Sequence, residues 1–268
     1  MNMQKEEKLK QLNTDILIIK DDIEEGLLLN IVKEIENRRK KDKLSLFLIT
    51  NGGDGNVAFK IARYLQFKYK DGYEQYVIDR CKSAGTLICC GAKKIFFVYP
   101  FGELGPLDLQ LINIKDFDIS QKSVLDIFQC LDKIQQDMCI IYTQGFSVFK
   151  RNCFSTEKSL SICRDIVKTI YEPICNKLDP YQIGEYNRKI NISLKYMQMM
   201  NNKSDNLKDS GKLINGYPSH SFVIDYEEAK NLFKNVEEYT SKEIIDFVIE
   251  LCNNKQKEFY FYSYDNDK

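Results

Sequence analysis

Leu44-Ser45-Leu46-Phe47-Leu48-Ile49-Thr50-Asn51-Gly52-Gly53-Asp54-Gly55-Asn56 is the stretch on which the fold turns. Leu44 to Thr50 is a continuous apolar run short enough for a strand buried on both faces. Three glycines then fall within four residues, and Asn56 to Phe67 carries apolar residues at helical spacing. Strand, glycine loop and helix in that order are one half of a βαβ unit. Outward from it, Asp15 to Lys20 predicts a strand and Glu24 to Arg39 a helix with Leu27, Leu28, Ile31, Val32 and Ile35 on one face. Downstream come a strand at Glu74 to Asp79, a short apolar helix at Ser83 to Ala92 and a strand at Lys94 to Tyr99. The alternation predicts an α/β protein with a largely parallel sheet and helices on its faces.

After the turn-rich Gly102-Glu103-Leu104-Gly105-Pro106, helical periodicity dominates from about Ser120 to Met200, with breaks near Phe146 to Ser155 and at Asp179-Pro180. Asn201 to Ser210 predicts a polar loop, Tyr226 to Phe233 and Ser241 to Cys252 two helices, and Glu258 to Tyr264 an aromatic strand. The domain expectation is a nucleophile-bearing core over 1–120 and a helical extension over 121–268, which returns His220 and a C-terminal segment to the core.

Composition narrows the function classes. The 268 residues carry 39 Lys+Arg against 39 Asp+Glu, and that balance offers no electrostatic footprint for nucleic acid. The basic run Arg38 to Lys41 closes a predicted helix, where cations suit the negative end of the dipole. No window approaches about 18 uninterrupted apolar residues, so no membrane span is expected. The opening Met1 to Lys8 lacks the apolar stretch of a secretory signal. A cytoplasmic location follows as the expectation, and nine cysteines then read as reduced, mostly core-filling side chains. With one histidine and no Cys-x-x-Cys pair, a structural metal is not expected.

Two segments, each just after a predicted strand, carry chemistry-bearing residues where open α/β sheets form their ligand crevice. Thr50 to Asn56 offers backbone N–H groups that approach an anion closely, but neither Gly-x-x-x-x-Gly-Lys-Ser/Thr nor Gly-x-Gly-x-x-Gly is present. A plain tight turn is the alternative. Cys81-Lys82-Ser83-Ala84-Gly85-Thr86-Leu87 opens an apolar helix with a serine followed by two small residues. Such a serine is either a helix N-cap or a nucleophile near the positive end of a helix dipole. The conjunction of hydroxyl and glycine-lined cradle suggests acyl transfer.

The runs Leu46-Phe47-Leu48-Ile49-Thr50-Asn51-Gly52-Gly53, Lys82-Ser83-Ala84-Gly85-Thr86-Leu87-Ile88 and Gly102-Glu103-Leu104-Gly105-Pro106-Leu107-Asp108-Leu109-Gln110 resemble the serine dehydrogenase proteinase family. These proteins are relatives of signal peptide peptidase A within the Clp protease/crotonase superfamily. Asp179-Pro180, Gly184 to Arg188, and Tyr217-Pro218-Ser219-His220-Ser221-Phe222-Val223-Ile224-Asp225 with Glu228-Ala229 add to the resemblance, which covers most of residues 15 to 236. It implies an α/β crotonase/Clp protease-like spiral of ββα units with a C-terminal helical extension, no cofactor, and a homo-oligomer acting on peptide or unfolded protein. It further implies Ser83 as nucleophile, with Gly53 and Ala84 amides as the oxyanion hole and Gly52 in support.

The Clp proteolytic subunit places a histidine shortly after the nucleophile helix, in the strand that here runs through Ile95 to Pro100, and this chain has none there. Signal peptide peptidase A takes its base from a downstream lysine, for which Lys189 and Lys195 are candidates. His220, the single histidine, is the other candidate, since imidazole titrates nearest neutral pH. Asp225 either orients that imidazole or caps the following helix, and Asp79 is an alternative orienting carboxylate. Three functions stay in view: a cytosolic serine peptidase, a catalytically silent oligomeric scaffold or regulatory subunit, and an acyl-CoA enzyme whose glycine loop stabilises a thioester enolate. No Walker-type motif occurs, so ATP-driven unfolding would need a separate protein partner.

Overall fold

The computed structural model describes residues 9–107, 110–112, 121–240, 242–254 and 256–264. Met1 to Lys8, and Asp108 and Leu109 of the third recognised run, lie outside them.

The chain divides into two compact units, Met1–Asp108 with Ile190–Lys268, and Leu109–Lys189. The first holds a six-stranded sheet built from β1 (Asp15–Lys20), β2 (Leu44–Ile49), β3 (Tyr73–Val77), β5 (Lys94–Val98), β9 (Val236–Tyr239) and β10 (Glu258–Tyr262), in the order β10-β1-β2-β3-β5-β9. All neighbours pair in parallel except β10, which runs antiparallel to β1. Between the parallel strands run α1 (Glu25–Arg38), α2 (Gly55–Lys68) and α3 (Ala84–Cys89). The mostly parallel α/β sheet expected from the alternation is present.

β2 is buried at every position, because both of its faces are covered. On one face Leu46, Leu48, Tyr73, Val77, Ile95 and Phe97 meet Ile31, Ile61, Leu65 and Ile88 from the helices. On the other, Phe47, Tyr76 and Phe96 stack across three strands with ring centroids 4.4 and 4.7 Å apart, next to Ile16, Ile18 and Leu251. Phe47 pairs with Tyr76 and Tyr76 with Phe96, so this aromatic ladder fixes the register. Lys20, the last residue of β1, donates from Nζ to the carbonyls of Leu251 and Asn254 at the C-terminus of α9 (Lys242–Asn253), where a cation offsets the dipole.

β9 escaped the sequence pattern. Its Glu237 and Glu238 are exposed, since an edge strand with one neighbour keeps polar side chains. Asn201 to Ser204 extend α6 (Pro180–Ser204) instead of opening the predicted loop. The Asn201 carboxamide accepts from the amides of Asn206 and Leu207 and donates to the Leu207 carbonyl, so one polar side chain closes the helix end. A further helix, α7 (Ser210–Asn215), follows, then α8 (Tyr226–Leu232).

The second unit contains the antiparallel pair β7 (Gln110–Ile112) and β8 (Gln121–Ser123), then α4 (Val124–Arg151), α5 (Thr156–Cys175) and the opening of α6. α4 and α5 pack together, and a Cβ on Gly145 would lie 3.3 Å from the Cys163 sulfur, so glycine sets their approach there. Glu185 meets Lys189 at 2.8 Å, the i,i+4 spacing that a helix favours. Among the described residues no helix is long and apolar enough to cross a membrane.

Candidate active site

Beyond the carboxyl ends of the parallel strands the backbone makes a second set of short pairings. Ile23 bridges Gly53, Thr50 bridges Cys81, β4 (Arg80–Cys81) pairs in parallel with β6 (Glu103–Leu104), and Leu104 bridges Ile224. This chain of contacts brings the glycine loop, the serine turn, the Leu-Gly-Pro run and the His220 segment to the same end of the sheet.

Thr50 joins the first two. Its amide donates to the Arg80 carbonyl at 2.9 Å and its carbonyl accepts from the Lys82 amide at 3.1 Å. Its hydroxyl meets the Gly52 amide and carbonyl, each at 3.1 Å. Gly52 and Gly53 have φ of +126° and +136°, a region closed to residues with a Cβ. A Cβ on Gly53 would fall 2.4 Å from the Ile23 carbonyl oxygen, and one on Gly52 2.9 Å from the Ser83 Cβ and 3.4 Å from its Oγ. Glycine is required here by space as well as by conformation. Asp54 then caps α2, accepting from the amides of Asn56 and Val57.

Ser83 precedes α3 with φ +50° and ψ −112°, and its side chain makes no capping bond. The N-cap alternative is therefore not what this side chain does. It is half-buried, while Ala84 to Cys89 behind it are fully buried. A sharp strand-to-helix turn with the serine in a strained conformation is the geometry that presents a hydroxyl for attack. Among the described residues, the Gly53 and Ala84 amides donate to no protein acceptor. One of these amides belongs to the glycine loop and the other directly follows Ser83 at the start of α3.

His220 lies half-buried in the segment between α7 and Ile224. Tyr217 and Phe222 stack at 4.8 Å, the Phe222 amide donates to the Ser219 carbonyl, and Leu104 and Ile224 exchange both backbone hydrogen bonds at 2.9 and 3.0 Å. No hydrogen bond joins Ser83 to His220 or to a lysine among the described residues. Lys195 is exposed on α6. Its neighbour Tyr196 stacks on Phe59 at 4.0 Å and donates to Asn56 at 2.9 Å, which lays this part of α6 along the start of α2. Lys82 points to Glu103 at 3.0 Å. Asp225 caps α8, accepting from the Glu228 amide at 2.9 Å.

Sequence reasoning passed over Thr86, a threonine among apolar residues of α3 and fully buried. Its Oγ1 lies 2.8 Å from the Gly105 carbonyl and 3.0 Å from that of Cys81, and accepts from the Gly105 amide at 3.2 Å. The available signal was a hydroxyl at a position whose neighbours must all be buried. Cys81, Cys89 and Cys90 pack behind the serine, with the Cys81 and Cys89 sulfurs 4.0 Å apart. Burial, then the Cys81 thiol, push the Cys89 thiol well above its ordinary range, so it stays protonated.

A cavity of about 150 Å³ opens beside this end, lined by Thr50, Asn51, Arg80, Lys20, Asp21 and Lys257. A larger one of about 570 Å³ lies where β2, β3, β5 and β9 begin, lined by Lys43, Glu74, Lys94, Lys234 and Glu237. That second cavity is bordered by the Lys43–Glu74 and Lys94–Glu237 ion pairs and is remote from the serine. Among the described residues no group of three or more His, Cys, Asp and Glu side chains is placed to hold a metal ion.

No protein-family model matches the chain, and no curated protein matches it. The solved structures similar to it include two of one protease. One is a serine-to-alanine mutant of the 1510-N membrane-bound stomatin-specific protease, 14% identical over 52% of this chain and 63% of that one, with a TM-score of 0.30. The chain thus matches less than two thirds of that protein's length. The other is a lysine-to-alanine mutant of the 1510-N protease in complex with a substrate peptide, 18% identical over 84% and 90%, with a TM-score of 0.29.

Proposed function

We propose that this chain is a serine peptidase of crotonase-like fold that hydrolyses peptide bonds through an acyl-enzyme on Ser83. The observation that carries the proposal is the Ser83 turn, with φ +50° and a hydroxyl that caps nothing, set against a glycine loop whose Gly53 amide is unused. The succession of short pairings beyond the main strands supports a spiral of ββα units. In the reaction Ser83 Oγ attacks the scissile carbonyl carbon as its proton passes to a base. The Gly53 and Ala84 amides take the oxyanion, the amine leaves with a proton, and water releases the acyl group. Each oxyanion donor is worth about 2.7–4 kcal/mol of transition-state stabilisation in such sites.

His220 is the favoured base. Its segment is tied through Leu104 to the strand that precedes Ser83, whereas Lys195 is exposed on α6. Fluorophosphonate labelling followed by intact mass tests both roles. Wild type should gain one adduct, Ser83→Ala none, His220→Ala a small fraction of the wild-type rate, and Lys195→Ala the full rate. Loss in Lys195→Ala with retention in His220→Ala would move the base to the lysine.

A second reading, a catalytically silent scaffold or regulatory subunit, is favoured by the absence of a base hydrogen-bonded to Ser83 among the described residues. It expects no labelling of folded wild type, and equal binding of a protein partner by wild type and Ser83→Ala. Self-association is part of both readings. Exposed Ile140, Val148, Ile166 and Ile170 on the second unit support it, and sedimentation would measure it.

A further inference from the structure

We propose that Thr86 is a positioning residue for the serine chemistry: its buried hydroxyl closes the turn that holds Ser83 in its strained conformation. The inference rests on Ser83 being the nucleophile. A residue at φ +50° persists only where its surroundings leave the backbone no alternative, and Ser83 contributes nothing through its own side chain. The constraint must come from the residues on either side.

On one side Thr50 takes the backbone of residues 80 and 82 by two hydrogen bonds. A Cβ on Gly85 would lie 2.6 Å from the Thr50 methyl carbon Cγ2, so the two loops are already at closest approach there. On the other side stands the Thr86 hydroxyl. Its oxygen accepts from the Gly105 amide at 3.2 Å, and its one hydrogen has the Gly105 carbonyl at 2.8 Å and the Cys81 carbonyl at 3.0 Å as acceptors. Cys81 and Thr86 bracket Ser83, so the hydroxyl draws together the two ends of the short segment that contains it.

The same oxygen reaches Gly105, and the neighbouring Leu104 exchanges backbone hydrogen bonds with Ile224. Thr86 therefore links the serine turn to the strap leading towards the His220 segment. With Thr86, Cys81 and Leu104 fully buried, these bonds are shielded from water, and removing the hydroxyl takes away an interior partner of the Gly105 amide and of the Gly105 and Cys81 carbonyls. The turn is then free to relax, and a displacement of about 1 Å at a nucleophile costs on the order of 10²-fold in rate.

The test is the fluorophosphonate labelling rate of Ser83 in wild type, Thr86→Val and Thr86→Ser, with binding of a non-cleavable peptide aldehyde and circular dichroism on each. Thr86→Val keeps the shape and removes the hydroxyl. It should label about 10²-fold more slowly while keeping the wild-type fold, and Thr86→Ser should recover most of the rate. Equal labelling of wild type and folded Thr86→Val would overturn the positioning role and leave the serine-hydrolase reading intact. Absence of wild-type labelling would overturn that reading, and this inference with it. Should Thr86→Val fail to fold, amide hydrogen exchange of wild type decides: protection of the Gly105 amide supports the closure, and free exchange overturns it.

Discussion

At the scale of single residues, space and conformation decide more than composition. Gly85 sits with a virtual Cβ 2.6 Å from Thr50 Cγ2 and 2.8 Å from the Cys81 sulfur, whereas a Cβ on Gly26 in α1 meets nothing within 4 Å. Gly85→Ala should therefore cost about 1–3 kcal/mol in urea unfolding and slow Ser83 labelling, because one loop must retreat from the other. Gly26→Ala should instead gain about 0.4–1 kcal/mol by restricting the unfolded chain. Gln75 presents the reverse problem. It is fully buried on β3, and among the described residues neither its amide nitrogen nor its oxygen has a hydrogen-bond partner. Gln75→Met should raise stability by about 1–3 kcal/mol, since it removes unpaired polar atoms at nearly constant volume; a loss of stability would show that these atoms are satisfied by buried water.

At the scale of elements, three aspartates start helices in the first unit: Asp54 at α2, Asp209 at α7 and Asp225 at α8. Asp225→Ala should cost about 1 kcal/mol as a lost cap while the labelling rate of Ser83 holds within a factor of about two. A far larger rate loss would give Asp225 the imidazole-orienting role instead. The sequence suggested both readings, because an aspartate before a helical run is compatible with either, and only the Asp225–Glu228 hydrogen bond shows which group it serves. β9 was hidden for a related reason: an edge strand with exposed glutamates lacks the apolar signature that marked β1, β2 and β5.

At the scale of the whole molecule, burial sorts the cysteines by reactivity. Cys81, Cys89, Cys90 and Cys163 are buried, while Cys130, Cys139, Cys153, Cys175 and Cys252 are exposed. Alkylation of native protein with iodoacetamide should spare the first four. Burial and the neighbouring Asp79 push the Cys252 thiol up to about 11, so despite its exposure Cys252 should react slowly at pH 8 and faster as the pH rises towards that value. Acid acts through Glu228, whose carboxyl is held below its usual range by hydrogen bonds from Lys212 and then Tyr217. A depressed carboxylate contributes stability above its unfolded pKa and loses it as the pH falls through the folded one. The stability difference between wild type and Glu228→Gln should accordingly shrink below about pH 4.5, as followed by urea midpoints. Because this glutamate is largely solvated, the effect is small.

The sequence by itself determined the parallel α/β sheet, because continuous apolar runs alternating with amphipathic helices admit few other arrangements. It also marked the two loops, since glycines after a buried strand and a serine opening an apolar helix are local features. It determined neither the conformation of Ser83 nor the identity of the residues that hold it. Those depend on Thr50, Thr86 and Gly105, which are distant in sequence and meet only where β4 and β6 pair. The pairing that brings the chain just after His220 to this end of the sheet is likewise tertiary: Ile224 meets Leu104, 120 residues away along the chain. Hydrophobic periodicity is written in neighbours, whereas a strained turn and its hydroxyl latch exist only once distant backbone segments have packed against each other.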